Sequence, residues 1–195
     1  MAGSLGVVIL LVGPSCAGKS TLAGAVQTLS REPYLIQSLD GLFAAVPDAY
    51  GGSGEHTHEG FRYDRPAPEG GENVLRIAYG PVGWRILEGF HRAVAAYARA
   101  GVNVVVDDML LDMAVLEDWA FALASLPTVL VKVMAPKEEL LRREQARTRR
   151  STPGLAQGHF DLHQAIVADL DIDTSLSSPA EAAARVLALA AKARP

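Results

Sequence analysis

Cysteine and long apolar runs are scarce in this sequence, and both shortages limit where the protein can work. Cys16 is the sole cysteine among 195 residues, so no disulfide can form within the chain, which suits a reducing compartment. The apolar runs are far shorter than the roughly 20 residues that cross a bilayer. The first apolar run spans residues 7–12. The residues before it include no Lys or Arg, which argues against an export signal. We therefore predict a soluble, cytoplasmic protein with no membrane partner.

A surplus of basic residues is also absent. Lys and Arg number 18 against 22 Asp and Glu, which gives a formal charge of −4 and a pI near 5.7. Nucleic-acid-binding domains usually carry a basic surplus, so no nucleic-acid partner is expected. The shares of hydrophobic and charged residues, 49% and 21%, are typical of a globular protein. The length fits a single domain over residues 1–195.

Apolar runs and helical patterns alternate along the whole chain. The runs predict five buried strands, at 7–12, 34–39, 102–107, 128–134 and 169–173. Helices are predicted between them, after Gly18, from Pro81 to about Ala100, from Asp112 to about Ala124, over 137–150, and from Pro179 behind a Ser178–Glu181 capping box. Strands that are apolar throughout are typical of a parallel sheet covered on both faces. The predicted class is therefore an α/β, doubly wound sheet.

Two segments do not fit this alternation. Residues 47–80 are rich in Gly, Pro and charge, and they predict a long excursion between the second strand and the next helix. Residues 150–168 predict a loop with a short helix. Long loops in compact domains are usually functional or disordered, so the first of these segments is a candidate functional segment.

The stretch "GPSCAGKST" is a complete Walker A pattern between a predicted strand and a predicted helix. Backbone N–H groups of such a loop cradle phosphate oxygens, and the helix N-terminus adds positive potential. Lys19 would lie near the β- and γ-phosphates, and the Ser20 hydroxyl would bind Mg²⁺. The predicted nucleotide-binding residues are Gly13, Pro14, Ser15, Cys16, Ala17, Gly18, Lys19, Ser20 and Thr21.

The run "VVVDD" at 104–108 predicts the Walker B strand. A carboxylate at the end of such a strand can bind Mg²⁺ opposite the P-loop hydroxyl. Either Asp107 or Asp108 could take this role, and the other could simply cap the next turn.

A P-loop alone does not separate kinases from GTPases or motors. The guanine-binding pattern NKxD is absent, because no Asn-Lys pair occurs in the chain. Asp40, placed at the end of the second predicted strand, favours a kinase, since strand ends line the ligand crevice of an open α/β sheet. Its carboxylate could accept the proton of an attacking hydroxyl. The alternative is a turn-forming Asp before Gly41.

Arginines cluster on the predicted helix after the fourth strand, in a lid region at 137–158. Arg143 and Arg147 are four residues apart, so we expect them on one helical face, where they could neutralise charge on the transferred phosphoryl group. The roles of Arg142, Arg149 and Arg150 stay open.

The motifs "GPSCAGKST", "SLDGLF", "VNVVVDD", "REQAR" and "DLDIDTS", in this order and spacing, resemble those of the chloramphenicol phosphotransferase family of small P-loop kinases. The resemblance implies a five-stranded parallel sheet of the nucleotide-kinase type and transfer of the ATP γ-phosphate to a chloramphenicol hydroxyl. It also implies that Asp40 is the catalytic base and that Arg143 and Arg147 are lid arginines. Residues 47–80 look longer than in the founding enzyme, so the acceptor stays open.

The leading hypothesis is an O-phosphotransferase that uses ATP and Mg²⁺ and acts on a small hydroxyl compound, with chloramphenicol or a related antibiotic as candidate. A kinase of a metabolite or nucleotide is the alternative within the same fold. A nucleotide-binding regulator without an acceptor is the alternative of another class. The oligomeric state is left open.

Overall fold

The computed structural model of the chain describes residues 4–66, 74–148 and 152–194. Its strands are β1 (Val8–Val12), β2 (Tyr34–Ser38), β3 (Phe61–Asp64), β4 (Arg76–Tyr79), β5 (Asn103–Asp108), β6 (Thr128–Met134) and β7 (Leu170–Asp173). Its helices are α1 (Lys19–Leu29), α2 (Leu39–Ala45), α3 (Pro81–Arg99), α4 (Met113–Leu123), α5 (Lys137–Ala146), α6 (Leu155–Gly158), α7 (Phe160–Gln164) and α8 (Pro179–Lys192).

Five strands form one parallel sheet in the order β2-β5-β1-β6-β7. The side chains of β1 alternate between two apolar layers. Its even-numbered residues pack with α3 and α4, whereas its odd-numbered residues pack with α1, α5 and α8. Helices therefore cover both faces of the sheet, which confirms the predicted doubly wound α/β class and the five-stranded sheet implied by the resemblance. In the described ranges no helix is both long and apolar enough to cross a membrane.

The second predicted strand is wrong at its last residue, because Leu39 begins α2. The Ser38 hydroxyl accepts a hydrogen bond from the Gly41 N–H at 3.0 Å and caps this unpredicted helix. N-terminal capping by a serine side chain satisfies a backbone donor that the helix leaves without a partner. Asp40 therefore lies in the first turn of α2, directly after the strand end, and not in the strand.

The helix predicted over 137–150 is also too long. It ends at Ala146, and Arg147 is extended, so the expectation that Arg143 and Arg147 share a helical face is wrong. The physical reason lies in buried Glu144, whose two carboxylate oxygens accept the backbone N–H groups of Gly154 and Ala156, each at 2.8 Å. These bonds turn the chain back on itself. Arg149 and Arg150 lie outside the described residues.

The excursion at 47–80 contains an antiparallel hairpin that the sequence did not predict. Strands β3 and β4 pair from Phe61 with Tyr79 to Asp64 with Arg76. Two hydrogen bonds hold the hairpin to the segment after α5. The Leu75 N–H donates to the Gly154 carbonyl at 3.0 Å, and the Arg76 Nε donates to the Gly158 carbonyl at 2.8 Å. The segment after α5 and the hairpin are therefore joined directly by hydrogen bonds.

His159 is part of the same connection. Its Nε2 accepts the N–H of Ile77 at 3.0 Å, and the residue is 3% exposed. Burial, with the positive charge of Arg76 as a smaller cause, lowers the pKa of His159 to about 4. The imidazole must stay neutral at Nε2 for this hydrogen bond to exist.

We expect acid to destabilise the fold through His159. Its pKa in the folded protein, about 4, is below the ordinary 6.5, so its contribution is complete above pH 6.5 and is lost as the pH falls toward 4. At pH 5 the loss is about 2 kcal/mol. The variant His159→Gln offers an acceptor that does not titrate, so urea unfolding at pH 7.5 and 5 should show a correspondingly smaller acid loss. Equal losses in both proteins would contradict this role.

Candidate active site

The Walker A segment forms the turn between β1 and α1. Gly18 has φ 95° and Cys16 has φ 65°, both in the left-handed region that favours glycine. A Cβ on Gly13 would lie 2.0 Å from the Val133 carbonyl oxygen, so only glycine fits there. Lys19 is 7% exposed, and its amine donates to the Gly13 and Pro14 carbonyls at 2.8 and 2.9 Å. Burial lowers the pKa of Lys19, and nearby carboxylates oppose that shift.

The end of β5 brings a carboxylate against this loop. Because β1 and β5 are parallel neighbours, Leu11 pairs with Asp107 and Val12 pairs with Asp108. The Ser20 hydroxyl donates to Asp107 Oδ2 at 2.5 Å, and the Lys19 amine lies 3.9 Å from Asp107 Oδ1. The hydroxyl, the ammonium group and the Asp107 carboxylate therefore form one cluster.

Asp108 is held in different surroundings. It is 1% exposed, and its Oδ2 accepts the indole N–H of Trp119 at 2.6 Å. Burial raises the pKa of Asp108 to about 6, and the Trp119 hydrogen bond opposes the rise. Neither carboxylate caps the next helix, because Asp112 accepts the Val115 N–H and caps α4. Of the two aspartates left open by the sequence, Asp107 is the one in contact with the P-loop hydroxyl.

Asp40 lines the same cleft as the P-loop. The cleft has a volume of about 880 Å³, and Lys19, Ser20 and Asp107 also line it. The Asp40 carboxylate is close enough to Lys19 to raise the pKa of that amine against the effect of burial. The tertiary structure therefore places the predicted base and the predicted phosphate-binding lysine on one cavity.

Arg143 and Arg147 both line this cleft, although they do not share a helical face. Arg143 Nη1 donates to the Thr174 hydroxyl at 2.8 Å and to the Cys16 carbonyl at 3.3 Å. Its Nε donates to Glu139 at 2.7 Å. The guanidinium of Arg143 thus links the lid helix to the back of the P-loop.

Thr174 is a site residue that the sequence argument did not single out. It follows β7, and its hydroxyl lies 2.8 Å from the Ala17 carbonyl oxygen and 3.2 Å from that of Met134. A Cβ on Gly18 would meet its methyl group at 3.3 Å. The sequence did contain a signal for Thr174, because this residue directly follows the predicted strand at 169–173. Ligand crevices lie at the ends of strands in a parallel sheet.

Apolar and aromatic side chains also line the cleft. Five of them come from four elements and one connecting loop: Phe43, Tyr63, Ile77, Met109 and Leu155. Two of them come from the unpredicted hairpin, so sequence periodicity could not have placed them at the site. Such a wall suits the nonpolar part of a small organic ligand.

Comparison with known proteins identifies the family of this chain. The family model described as "Chloramphenicol phosphotransferase-like protein" matches residues 6–191. The chain belongs to this family. In two strains of Mycobacterium tuberculosis a protein named "Putative O-phosphotransferase" is 30% identical over 183 residues, which cover 93% of this chain and 80% of that protein.

Solved structures similar to this family member include kinases of low sequence identity. A sugar kinase from Janibacter sp. has a TM-score of 0.66 at 17% identity and covers 97% of this chain and 99% of its own. The Mycobacterium tuberculosis APS kinase, solved with AMPPNP and APS, has a TM-score of 0.65 at 16% identity, covering 95% and 98%. These likenesses establish the P-loop kinase fold, and together with the family they identify a P-loop phosphotransferase.

Proposed function

We propose that this protein transfers the γ-phosphoryl group of ATP to a hydroxyl group of a small molecule. The observation that supports the proposal is the cleft lined by Lys19, Asp107 and Asp40, together with apolar and aromatic side chains such as Phe43 and Met109. A switch protein needs only the phosphate-binding residues of such a cleft. It has no need of a further carboxylate and apolar side chains in the same cavity.

In the proposed reaction the acceptor oxygen forms a bond to the γ-phosphorus as the bond to the β–γ bridging oxygen breaks. Asp40 takes the proton of the hydroxyl, which is the usual task of an aspartate in phosphoryl transfer. Lys19 and Arg147 stabilise the charge of the transferred group. Arg143 has a different part, since its hydrogen bonds hold the P-loop and Thr174 in place.

The donor atoms at the P-loop fit a magnesium ion. The Ser20 hydroxyl and the Asp107 carboxylate, in contact at 2.5 Å, are hard oxygen ligands of the kind that Mg²⁺ accepts together with nucleotide phosphates. When bound, the ion would neutralise phosphate charge. Asp108 accepts a hydrogen bond from Trp119 instead, and we assign it a structural part.

The reaction can be tested by mass spectrometry. The protein is incubated with ATP, Mg²⁺, chloramphenicol and a panel of hydroxyl-bearing metabolites, nucleosides and antibiotics. We expect one acceptor class to gain the mass of one phosphate with release of ADP. Phosphorylation of metabolites alone would assign a metabolite kinase and exclude the antibiotic. Tight nucleotide binding without any phosphorylated product would contradict the proposal and favour a regulator.

Thr174 offers a separate test of the nucleotide site. Thr174→Val keeps the shape of the side chain but removes the hydroxyl that joins Arg143 to the Ala17 carbonyl. We expect weaker binding of ATP with Mg²⁺ by about tenfold, the effect of losing one or two hydrogen bonds, one of them charged. Calorimetric titration measures this without an acceptor.

Two control variants make the Thr174 result specific. Thr174→Ser keeps the hydroxyl and should bind ATP as the parent does. Thr128→Val removes a hydroxyl whose contact, the Leu126 carbonyl, is a local one before β6, and should also leave ATP binding unchanged. If all three variants bind ATP equally well, Thr174 does not support the P-loop.

A further inference from the structure

We propose that the acceptor site continues into a second cavity, the distal pocket, and that the acceptor is a two-part molecule that fills both. The distal pocket has a volume of about 550 Å³ and lies between α2, the β3–β4 hairpin and the loop at 51–54. This inference rests on the proposed function, because it extends the hydroxyl-acceptor side of that cleft.

The two cavities are adjacent and share walls. Phe43, Tyr63 and Ile77 line both the catalytic cleft and the distal pocket. Phe43 also packs edge-on against Phe61, which lies in the wall of the distal pocket, with ring centroids 4.8 Å apart. In the proposed arrangement the acceptor runs from the Asp40 side of the cleft past these shared side chains into the distal pocket.

The loop that closes the distal pocket is tightly packed. A Cβ on Gly60 would lie 1.9 Å from the Tyr50 carbonyl oxygen, and a Cβ on Gly54 would lie 2.2 Å from that of Asp48. The His56 N–H donates to the Ala49 carbonyl at 2.7 Å. Backbone contacts this close leave no room for side chains, so the shape of the loop is set by packing.

The residues that follow this loop are anchored to the rest of the protein at the start of α3. The Gly80 N–H donates to the Gly60 carbonyl at 2.8 Å, and the Val82 and Gly83 N–H groups donate to the Glu59 carbonyl at 2.8 and 3.0 Å. These bonds satisfy backbone donors in the first turn of α3. Together with the close packing of Gly54, these bonds restrain the backbone beside the distal pocket.

The charges around the distal pocket define the chemistry of its ligand. Asp48 contributes a carboxylate to the wall, whereas the guanidinium of Arg62 is engaged by Asp64, with Nε 3.0 Å from Oδ1. Asp40 adds a second carboxylate at the catalytic end. An anionic group at the distal end would meet the like charge of Asp48, so the charges there favour a neutral or cationic group.

Size and polarity together describe the acceptor class. Ligand pockets hold drug-sized molecules at roughly 300–1,000 Å³, so a cavity of 550 Å³ beside the cleft exceeds what a small polyol fills. The expected acceptor carries its hydroxyl on an apolar, ring-bearing part near Phe43 and Tyr63. Its far end, beside Asp48 and the loop at 51–54, is a neutral hydrogen-bonding or cationic group.

The test uses three defined probes with the protein saturated by ADP and Mg²⁺. They are benzyl alcohol, 4′-(aminomethyl)biphenyl-4-methanol, and 4′-(hydroxymethyl)biphenyl-4-carboxylic acid. Dissociation constants come from calorimetry and ligand-observed NMR. We expect the amine-bearing biphenyl to bind at least about tenfold more tightly than benzyl alcohol, because it buries a second ring, and more tightly than the carboxylate.

Matched variants locate the added affinity. Ser53→Trp fills the distal pocket and should remove the gain of the biphenyl amine while leaving benzyl alcohol unaffected. Asp48→Asn should reduce the preference for amine over carboxylate. Glu55 directly follows the loop at 51–54, is exposed, and does not line the distal pocket. Glu55→Trp and Glu55→Gln therefore serve as controls and should bind all probes as the parent does.

Two outcomes would overturn the distal pocket as an acceptor subsite. The first is equal affinity for benzyl alcohol and the biphenyl amine in the parent protein. The second is a Ser53→Trp variant that weakens both probes equally, or not at all. Turnover of the probes, followed as ADP release, is a separate measurement. A distal gain in binding without a phosphorylated product would support the subsite while counting against the proposed reaction.

Discussion

Replacing Asp40 with Asn should lower kcat by about 1,000-fold and leave the affinity for ATP with Mg²⁺ nearly unchanged. Asparagine keeps the size of the side chain but cannot take the proton of the attacking hydroxyl, and general-base catalysis contributes about 10²–10⁴ in rate. The rate is measured as ADP release with the acceptor that the mass-spectrometric panel identifies. ATP affinity is measured by calorimetry.

A matched control lies in another short helix. Asp161 is an exposed aspartate in the first turn of α7, as Asp40 is in the first turn of α2, but Asp161 does not line the cleft. Asp161→Asn should keep the parental kcat. If Asp40→Asn turns over acceptor at the parental rate, another group removes the proton. If it loses ATP binding instead, Asp40 supports the nucleotide site.

Replacing Trp119 with Phe should destabilise the fold by about 3 kcal/mol near pH 8, because a buried charged acceptor loses its donor. Trp119 is fully buried, packs against the tilted ring of His91 with ring centroids 3.9 Å apart, and donates to Asp108 Oδ2. Among the described residues, the second carboxylate oxygen of Asp108, Oδ1, is buried and has no hydrogen-bond partner. In the variant neither oxygen would have one. Urea unfolding measures the change.

The pH dependence separates this effect from lost packing. The pKa of Asp108 is raised to about 6 by burial, so its carboxylate is charged at pH 8 and largely protonated at pH 5. The excess destabilisation of Trp119→Phe should therefore shrink at pH 5. Trp84→Phe, at a half-buried ring that stacks on Tyr79, is the control and should cost less at both pH values. A pH-independent loss would assign the whole effect to packing.

The central strands and the P-loop were predictable from local sequence because each obeys a local constraint. Every residue of β1 is buried on both faces, so the strand reads as one apolar run. The spacing of Gly13, Gly18 and Lys19 reflects the backbone positions that a phosphate-binding loop requires. The capping box of α8 could also be predicted from local sequence, and in the structure Ser178 and Glu181 exchange the expected hydrogen bonds.

Other parts of the site depend on contacts that sequence patterns do not record. The β3–β4 hairpin is short and is held by Gly154, Gly158 and His159, which are more than 70 positions away from it. The end of α5 follows from the bonds of Glu144 to a later segment, although the residues beyond Ala146 look helical. At this point tertiary hydrogen bonds outweigh the helix propensity of the sequence.

The sequence by itself determined the doubly wound fold, the phosphate-binding loop and the candidate base, because repeated burial and close backbone approach restrict residue types at each position. Only the tertiary structure showed that Asp107 contacts the Ser20 hydroxyl, tied Arg143 to Thr174, and brought Tyr63 and Ile77 of the hairpin to the cleft that Asp40 lines. Those outcomes depend on which side chain of an adjacent pair points toward a neighbouring element. That direction is set by strand register and by distant partners, and no local pattern contains it.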